Sequence, residues 1–259
     1  MEGRNPLDPP MRPVAGAPDL QNIRSFTPSI VAEDVQPGET VSERLTGRSG
    51  SRFGIQRFLP GGPALQQFRV TLRIGREVTL LRDCRLEALA ELYRQRLMHS
   101  PVIIPEGSYL HVELENTGTS AALATLATPG LTAPTLEVYE GRRQKAGYGL
   151  LAPRFFHVSG EVGAGAQMQT EVETGADPAV MHRLAFDTEA ADTMLATLYR
   201  LNDRLFGGLT KRQVTRRYLN GPQAVPNKVG RRTPLRLTME NKGSTSAKFS
   251  FIAEAYYRS

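Results

Sequence analysis

The sequence of 259 residues contains no tryptophan, a single cysteine and only 7% aromatic residues. One thiol cannot form an internal disulfide, and Cys84 stands just before a predicted helix, so we expect it to be a small packing residue. The shortage of aromatic side chains argues against a carbohydrate-binding module that stacks sugars on exposed rings.

Long apolar runs are also missing. No stretch approaches the length of a membrane span, and the first residues, MEGRNPLDPPMRP, lack the apolar centre of a signal peptide. We therefore expect a protein that is made in the cytoplasm and stays there or leaves without a secretion signal.

Catalytic and cofactor motifs are absent as well. The glycine-rich segments at 160–165 (GEVGAG) and 207–211 (GGLTK) fit neither GxGxxG nor a phosphate-binding loop, so we interpret both as loops. The four histidines show no HxH or HExxH spacing, so we predict no metal site, no cofactor and no enzyme activity. Alternation places His111, Glu113 and Glu115 on one strand face; we favour a solvent-facing surface over an acid–base cluster.

What is present is a repeated hairpin. Residues 109–126, YLHVELENTGTSAALATL, return in diverged form near the C-terminus as PLRLTMENKGSTSAKFSFI, with Leu110 matching Leu235 (235 − 110 = 125). Each copy alternates apolar and polar residues, passes through an Asn-x-Gly turn and continues as a second extended run, which predicts strand, turn and strand. We attribute the turn to the tolerance of Asn and Gly for positive φ.

A second match precedes each hairpin. The segment LAELYR at 89–94 resembles LATLYR at 195–200 (195 − 89 = 106), and apolar residues at helical spacing predict amphipathic helices at 85–98 and 188–206. Because the offset grows from 106 to 125, the second copy should carry an insertion of 19 residues (125 − 106 = 19), within 207–232. The alternative is that two helices and two turns resemble each other by chance.

Charge is concentrated in that predicted insertion. It contains no acidic residue, and the rest of the chain balances 25 basic against 26 acidic residues (32 − 7 = 25). The segment could therefore bind an acidic partner, or it could be a solvated loop that keeps the protein soluble. Its basic residues are Lys211, Arg212, Arg216, Arg217, Lys228, Arg231 and Arg232.

Residues 1–28 contain six prolines and few large apolar side chains, so we predict an extended arm, either a disordered tail or a strap that orders on a neighbouring subunit. The strand patterns that follow predict a mainly β fold, an antiparallel β-sandwich or jelly roll. We divide it into a first β-rich half at 29–140, a polar junction at 141–149 and a second, related half at 150–259. Each half has one amphipathic helix. We expect one half to be incomplete, or both to merge in one sandwich, because two full eight-stranded jelly rolls are hard to fit in the length that remains after the arm is subtracted.

This combination of a Pro-rich arm, two related β-rich halves and a basic segment resembles the jelly-roll coat and vertex proteins of viruses, including bacteriophages. The resemblance implies a structural virion protein that self-assembles or packs with other coat proteins, tied by its arm. The basic residues would then contact nucleic acid or anionic lipid without sequence recognition. The alternative is a non-catalytic β-sandwich that binds carbohydrate or protein; a sandwich enzyme with dispersed catalytic residues is a third class that no local motif supports.

Overall fold

The structure is a computed structural model that describes residues 24–47, 52–76, 78–93, 98, 101–133, 151–172, 174, 178–218, 227–230 and 232–258. The predicted junction at 141–149 and the first 23 residues of the predicted arm lie outside these ranges, as does the segment 135–139, TLEVY, whose alternation predicts a strand.

The first β-sandwich spans residues 24–133. Helix α1 (Leu86–Tyr93) lies between its seventh and eighth strands. The strands are β1 (Arg24–Phe26), β2 (Ser29–Val35), β3 (Thr40–Thr46), β4 (Arg52–Ile55), β5 (Leu59–Gly61), β6 (Phe68–Ile74), β7 (Val78–Arg85), β8 (Val102–Ile104), β9 (Tyr109–Asn116), β10 (Ala122–Ala127) and β11 (Gly130–Ala133).

The second β-sandwich spans residues 151–258, and its described residues include one helix, α2 (Lys211–Tyr218). Its strands are β12 (Leu151–Val162), β13 (Gln167–Val172), β14 (Ala179–Thr188), β15 (Met194–Arg200), β16 (Asp203–Leu209), β17 (Asn227–Val229), β18 (Leu235–Asn241) and β19 (Ala247–Arg258).

Both sandwiches have the same strand order. In the second, one sheet runs β12-β19-β14-β17 and the other β13-β18-β15-β16. In the first, the sheet β3-β9-β6-β7 faces a bent layer made of β1-β11-β4-β8 and β2-β10-β5. When β1 with β2, β4 with β5 and β10 with β11 are counted as interrupted strands, both sandwiches have eight antiparallel strands in jelly-roll order. The chain is therefore a double jelly roll, and the expectation of an incomplete or merged half is wrong, because short turns let both sandwiches fit.

Alternation explains most strands. In β9 and β18 every second residue is buried, and the first core gathers Val112 and Leu114 while the second gathers Leu237 and Met239. The prediction of a mainly β, antiparallel fold with two related hairpins is confirmed. Helix α1 also lies within the predicted helix at 85–98.

The helix predicted at 188–206 is wrong. Residues 194–200 form β15, between β16 and β18, and bury Met194, Ala196 and Leu198 with period two. A strand and a helix both place residues four positions apart on the same face, so Met194 and Leu198 fit either pattern. Ala196 is the buried residue that fits the strand alone, but its small side chain is only a weak indication of burial. Leu201, which the helical pattern placed on the apolar face, is exposed in the turn to β16.

The second helix is instead α2, which begins 125 residues after α1 (211 − 86 = 125). Helices and hairpins therefore share one offset, and the insertion of 19 residues inferred from the mismatched helices does not exist. The basic segment is the counterpart of α1 and the chain that follows it.

The predicted arm reaches too far into the fold. Arg24–Phe26 forms β1 and pairs with β11, and the Pro28 carbonyl accepts hydrogen bonds from the backbone and the hydroxyl of Thr128. Residues 24–28 thus belong to the first sandwich, because their backbone groups complete its sheet.

The two Asn-x-Gly turns are built identically, but not through positive φ. The buried Asn116 amide donates to the carbonyls of Val35 and Ser120 at 2.7 and 2.9 Å, and its Oδ1 accepts from the backbone N–H of Gly118 at 2.9 Å. Asn241 repeats these bonds with Val162, Thr245 and Gly243 at 3.1, 2.8 and 2.9 Å. In each turn the asparagine side chain thus provides hydrogen-bond partners to two backbone carbonyls and one backbone N–H that the turn itself does not pair.

A β-bulge is also shared. Asp83, with φ of 53°, donates its backbone N–H to Thr71 Oγ1 at 3.1 Å, and Gly208, with φ of 62°, donates in the same way to Thr197 Oγ1 at 2.9 Å. The glycine-rich segment at 207–211 is therefore a strand bulge leading into α2, rather than a loop.

Candidate functional site

The junction between the sandwiches is the most specialised part of the molecule. Helix α1 and strand β7 of the first sandwich pack against β12, β14 and β19 of the second. As a result β19 is buried on both faces: Phe251 points into its own core, whereas Ile252 joins the buried cluster of the first sandwich. At the junction, therefore, the hydrophobic core of the first sandwich includes residues of the second sandwich.

Five charged side chains meet at this junction, and we call them the charge cluster. Asp187 on β14 is fully buried and accepts from Arg85 Nε at 2.7 Å and from Lys211 Nζ at 2.6 Å. Arg85 also binds Glu189 at 3.2 Å, and Lys211 binds Glu87 at 3.1 Å. Arg85 and Glu87 come from the first sandwich and the other three from the second, so the cluster ties the two together.

Electrostatics keep both cations charged. Burial alone would lower the pKa of Arg85, but the charge and hydrogen bond of Asp187 outweigh it and raise that pKa, with Glu189 assisting. The pKa of Lys211 is likewise raised, because Asp187 and then Glu87 outweigh the effect of burial. A buried carboxylate with two cationic partners is tolerable, whereas the same carboxylate or arginine alone would be costly.

A second buried polar group lies at the same junction. Glu254 on β19 is fully buried, with Arg183 Nη1 at 3.6 Å from its Oε2. Tyr93, the last residue of α1, packs here, and burial followed by the negative charge of Glu254 raises its pKa well above the usual value. The helix of the first sandwich therefore ends against charges of the second.

The predicted basic site is divided by the structure. Lys211 is part of the charge cluster, where it already pairs with Asp187 and Glu87. Arg212 is exposed at 3.5 Å from Asp192, and Arg232 is exposed in a turn with φ of 47°. Arg216 and Arg217 lie on α2 and Lys228 on β17, where only the backbone is described; Arg231 lies outside the described residues.

The residues weighed as an acid–base cluster lie on the outer face of the sheet β3-β9-β6-β7. His111 Nε2 lies 3.0 Å from Glu113 Oε1, and Arg73 Nη2 lies 3.2 Å from Glu113 Oε2. All three side chains are partly exposed, so they form a surface ion network, as predicted for the solvent side of a strand.

A groove of about 550 Å³ runs along the junction between β7 and β12. Ser159 donates to the Asp83 carbonyl across it at 3.4 Å. His157 lines the groove with its Nε2 buried and without a hydrogen-bond partner in the described structure, and burial lowers its pKa from 6.5 to about 4.

This histidine should make stability depend on pH. Between about pH 6.5 and about pH 4, His157 is protonated in the unfolded chain but stays neutral in the folded chain. The free energy of unfolding therefore falls as pH falls through this window. We expect the urea midpoint of the His157→Gln variant to fall less over this range than that of the unsubstituted chain. A His157 ring signal that titrates near 6.5 in NMR spectra of the folded protein would contradict this prediction.

Sequence reasoning missed the junction charges. Arg85 and Asp187 are 102 positions apart, and no local pattern marks either as buried. The available signal was Asp187 itself, a charge at the end of the apolar run in β14. In the described part of the chain no group of three or more His, Cys, Asp or Glu side chains could hold a metal ion. None of the helices there is long and apolar enough to cross a membrane.

No protein-family model matches the sequence, and no curated protein matches it either. Solved structures similar to the chain include viral capsid proteins. The major capsid protein P2 of bacteriophage PM2 aligns with a TM-score of 0.45 and 10% identity, covering 90% of this chain and 97% of that one. The PBCV-1 virus capsid aligns with a TM-score of 0.42 and 10% identity, covering 90% and 93%.

Proposed function

We propose that this chain is a non-catalytic structural subunit of a virion shell, which packs with further copies of itself. The observation that carries the proposal is that two equivalent sheet faces, one in each sandwich, differ in whether another part of the chain covers them. The outer face of the sheet β12-β19-β14-β17 is covered by the first sandwich, whereas the corresponding outer face of the first sandwich has no such cover within the described chain.

Matched positions show the difference. Ile252 and Ala185 are buried under the first sandwich, whereas their counterparts Ala127 and Leu59 (252 − 127 = 125; 185 − 59 = 126) are only partly buried. On the neighbouring strand β2, Val31 is 50% exposed. Strand β14 packs against both α1 and α2. Its counterpart in the first sandwich, β5, packs against α1. The second docking place, next to β5, is open.

The first sandwich has an uncovered face, and the second sandwich has the elements that could cover it. This arrangement favours head-to-tail packing of copies. The second sandwich carries its own helix and edge strand, α2 and β16, in the positions that α1 and β7 occupy in the first. If α2 and β16 of one copy dock on the open face of another, the contact within one chain is repeated between chains, and repetition closes a ring when the rotation allows.

The predicted arm and basic residues complete this proposal. Residues 1–23 precede β1 and would tie neighbouring subunits, and Arg212 and Arg232 would contact the phosphates of nucleic acid or of anionic lipid. Such contacts weaken steeply with salt, so assembly with nucleic acid should be salt-sensitive.

The test is the mass of the purified chain by light scattering at low and at high salt. We expect large species, and we expect Val31→Arg to shift them to monomer while the melting temperature is retained, because a charge on the open face would be buried without a partner. Val78→Arg is the matched control, since Val78 is 51% exposed on β7, away from that face. A monomer at every salt, or equal effects of both variants, would sink the proposal.

A further inference from the structure

A polar cleft of about 280 Å³ lies on the outer face of the sheet β13-β18-β15-β16, away from the junction. Its volume is close to the lower end for small-molecule sites, roughly 300 Å³. Hydrogen-bonding side chains from three adjacent strands line it: Gln167, Gln169, Thr197, Tyr199, Arg236, Thr238 and Glu240.

Arg236 stands at one end of this cleft, opposite Glu171 on β13, but the structure records no ion pair between them. Its guanidinium carbon lies 5.0 Å from the centre of the Tyr199 ring, which fixes the side chain by a cation–π contact. Its Nε is buried with no hydrogen-bond partner, and no carboxylate of the described residues forms an ion pair with it. A fixed guanidinium lacking an acceptor is suited to a carboxylate or sulfate group.

The other lining groups favour hydroxyls. Thr197 and Thr238 carry hydroxyl groups and Gln167 and Gln169 carry amides, all of which both donate and accept hydrogen bonds. Glu240, at the other end, is neutralised by Lys242. The lining offers little apolar surface to a lipid chain, whereas a polyhydroxylated ring could form hydrogen bonds with all of these hydroxyl and amide groups.

On the equivalent face of the first sandwich the described arginines are paired with acids. There Arg69 pairs with Asp83 at 2.7 Å, and Arg73 pairs with Glu113 at 3.2 Å. Both arginines are therefore already satisfied, whereas on the second sandwich Tyr199 takes the position of Arg73 (199 − 73 = 126). The unpaired arginine distinguishes the second face.

We infer that this cleft binds an acidic saccharide, with Arg236 holding the sugar's carboxylate or sulfate and the threonine and glutamine side chains holding its hydroxyls. An acidic side chain of a protein would engage Arg236 alone and leave the row of amides and hydroxyls unused. The inference is independent of assembly, because none of the seven lining residues lies at the junction or on the open face.

The test is calorimetric titration of the full chain with an oligomer of galacturonic acid, a neutral galactose oligomer of equal length and a short polyglutamate. We expect binding of the acidic saccharide only. Arg236→Gln should weaken it about tenfold or more, the size of one lost charge-assisted hydrogen bond. Thr238→Ala should weaken it less.

Arg73→Gln, on the equivalent face of the first sandwich, is the matched control and should leave affinity unchanged. Melting temperatures of all variants confirm that they fold. Failure of the galacturonic acid oligomer to bind, equal binding of the neutral oligomer or of polyglutamate, or indifference to Arg236→Gln would each overturn the inference.

Discussion

Replacing Asp187 with alanine is expected to lower the free energy of unfolding by about 3–5 kcal/mol, the usual cost of removing one partner from a buried ion pair. The variant would leave Arg85 buried with only the partly exposed Glu189, and Lys211 with only Glu87. Urea denaturation followed by circular dichroism measures the loss.

The matched control for that variant is Asp203→Ala. Asp203 also accepts from an arginine, Arg200, at 3.0 Å, but it is largely exposed, so the loss should stay within about 1 kcal/mol. Because the charge cluster joins two sandwiches, we also expect the Asp187 variant to unfold in two steps. Equal losses for the two aspartates would show that the charge cluster does not hold the junction.

Replacing Asn116 or Asn241 with alanine should each cost about 2–4 kcal/mol, since each change removes three hydrogen bonds and leaves buried carbonyls without a donor. Asn202→Ala, in an exposed turn, is the control and should change stability by less than about 0.5 kcal/mol. Thermal melts of the three variants decide the question. If either buried asparagine proved as neutral as Asn202, the shared turn would not be a stabilising element of its sandwich.

Strands with one wet face could be predicted from the sequence. The alternation in β9 and β18 fixes which residues are buried, because one face meets the core and the other meets solvent. Strand β15 alternates too, but Leu195 on its outer side and Leu201 in the turn that follows gave the segment a helical appearance. Helix α2 was missed because its sequence, KRQVTRRY, is mostly polar and charged, and Val214 is its one aliphatic residue, which is too little to show a helical period.

The junction could not be predicted, for a physical reason. Its strands are buried on both faces, so β19 loses the alternation that marks a surface strand, and Glu254 sits inside an otherwise apolar run. Partners such as Arg85 and Asp187 are brought together only by the docking of two complete sandwiches. The polar cleft escaped prediction similarly, because its seven residues come from three strands that are not all consecutive in the chain.

The charge cluster also bears on the history of the chain. Arg85 and Asp187 correspond in the other sandwich to Thr210 and Gly61 (210 − 85 = 125; 187 − 61 = 126), which carry no charge. The asparagine turn and the bulge, in contrast, occur in both sandwiches. If one ancestral sandwich was duplicated, it already had the turn and the bulge, and the salt links arose afterwards in a fused gene whose halves had begun to diverge. Variation in related sequences should then couple positions 85 and 187 to each other more closely than to their own counterparts.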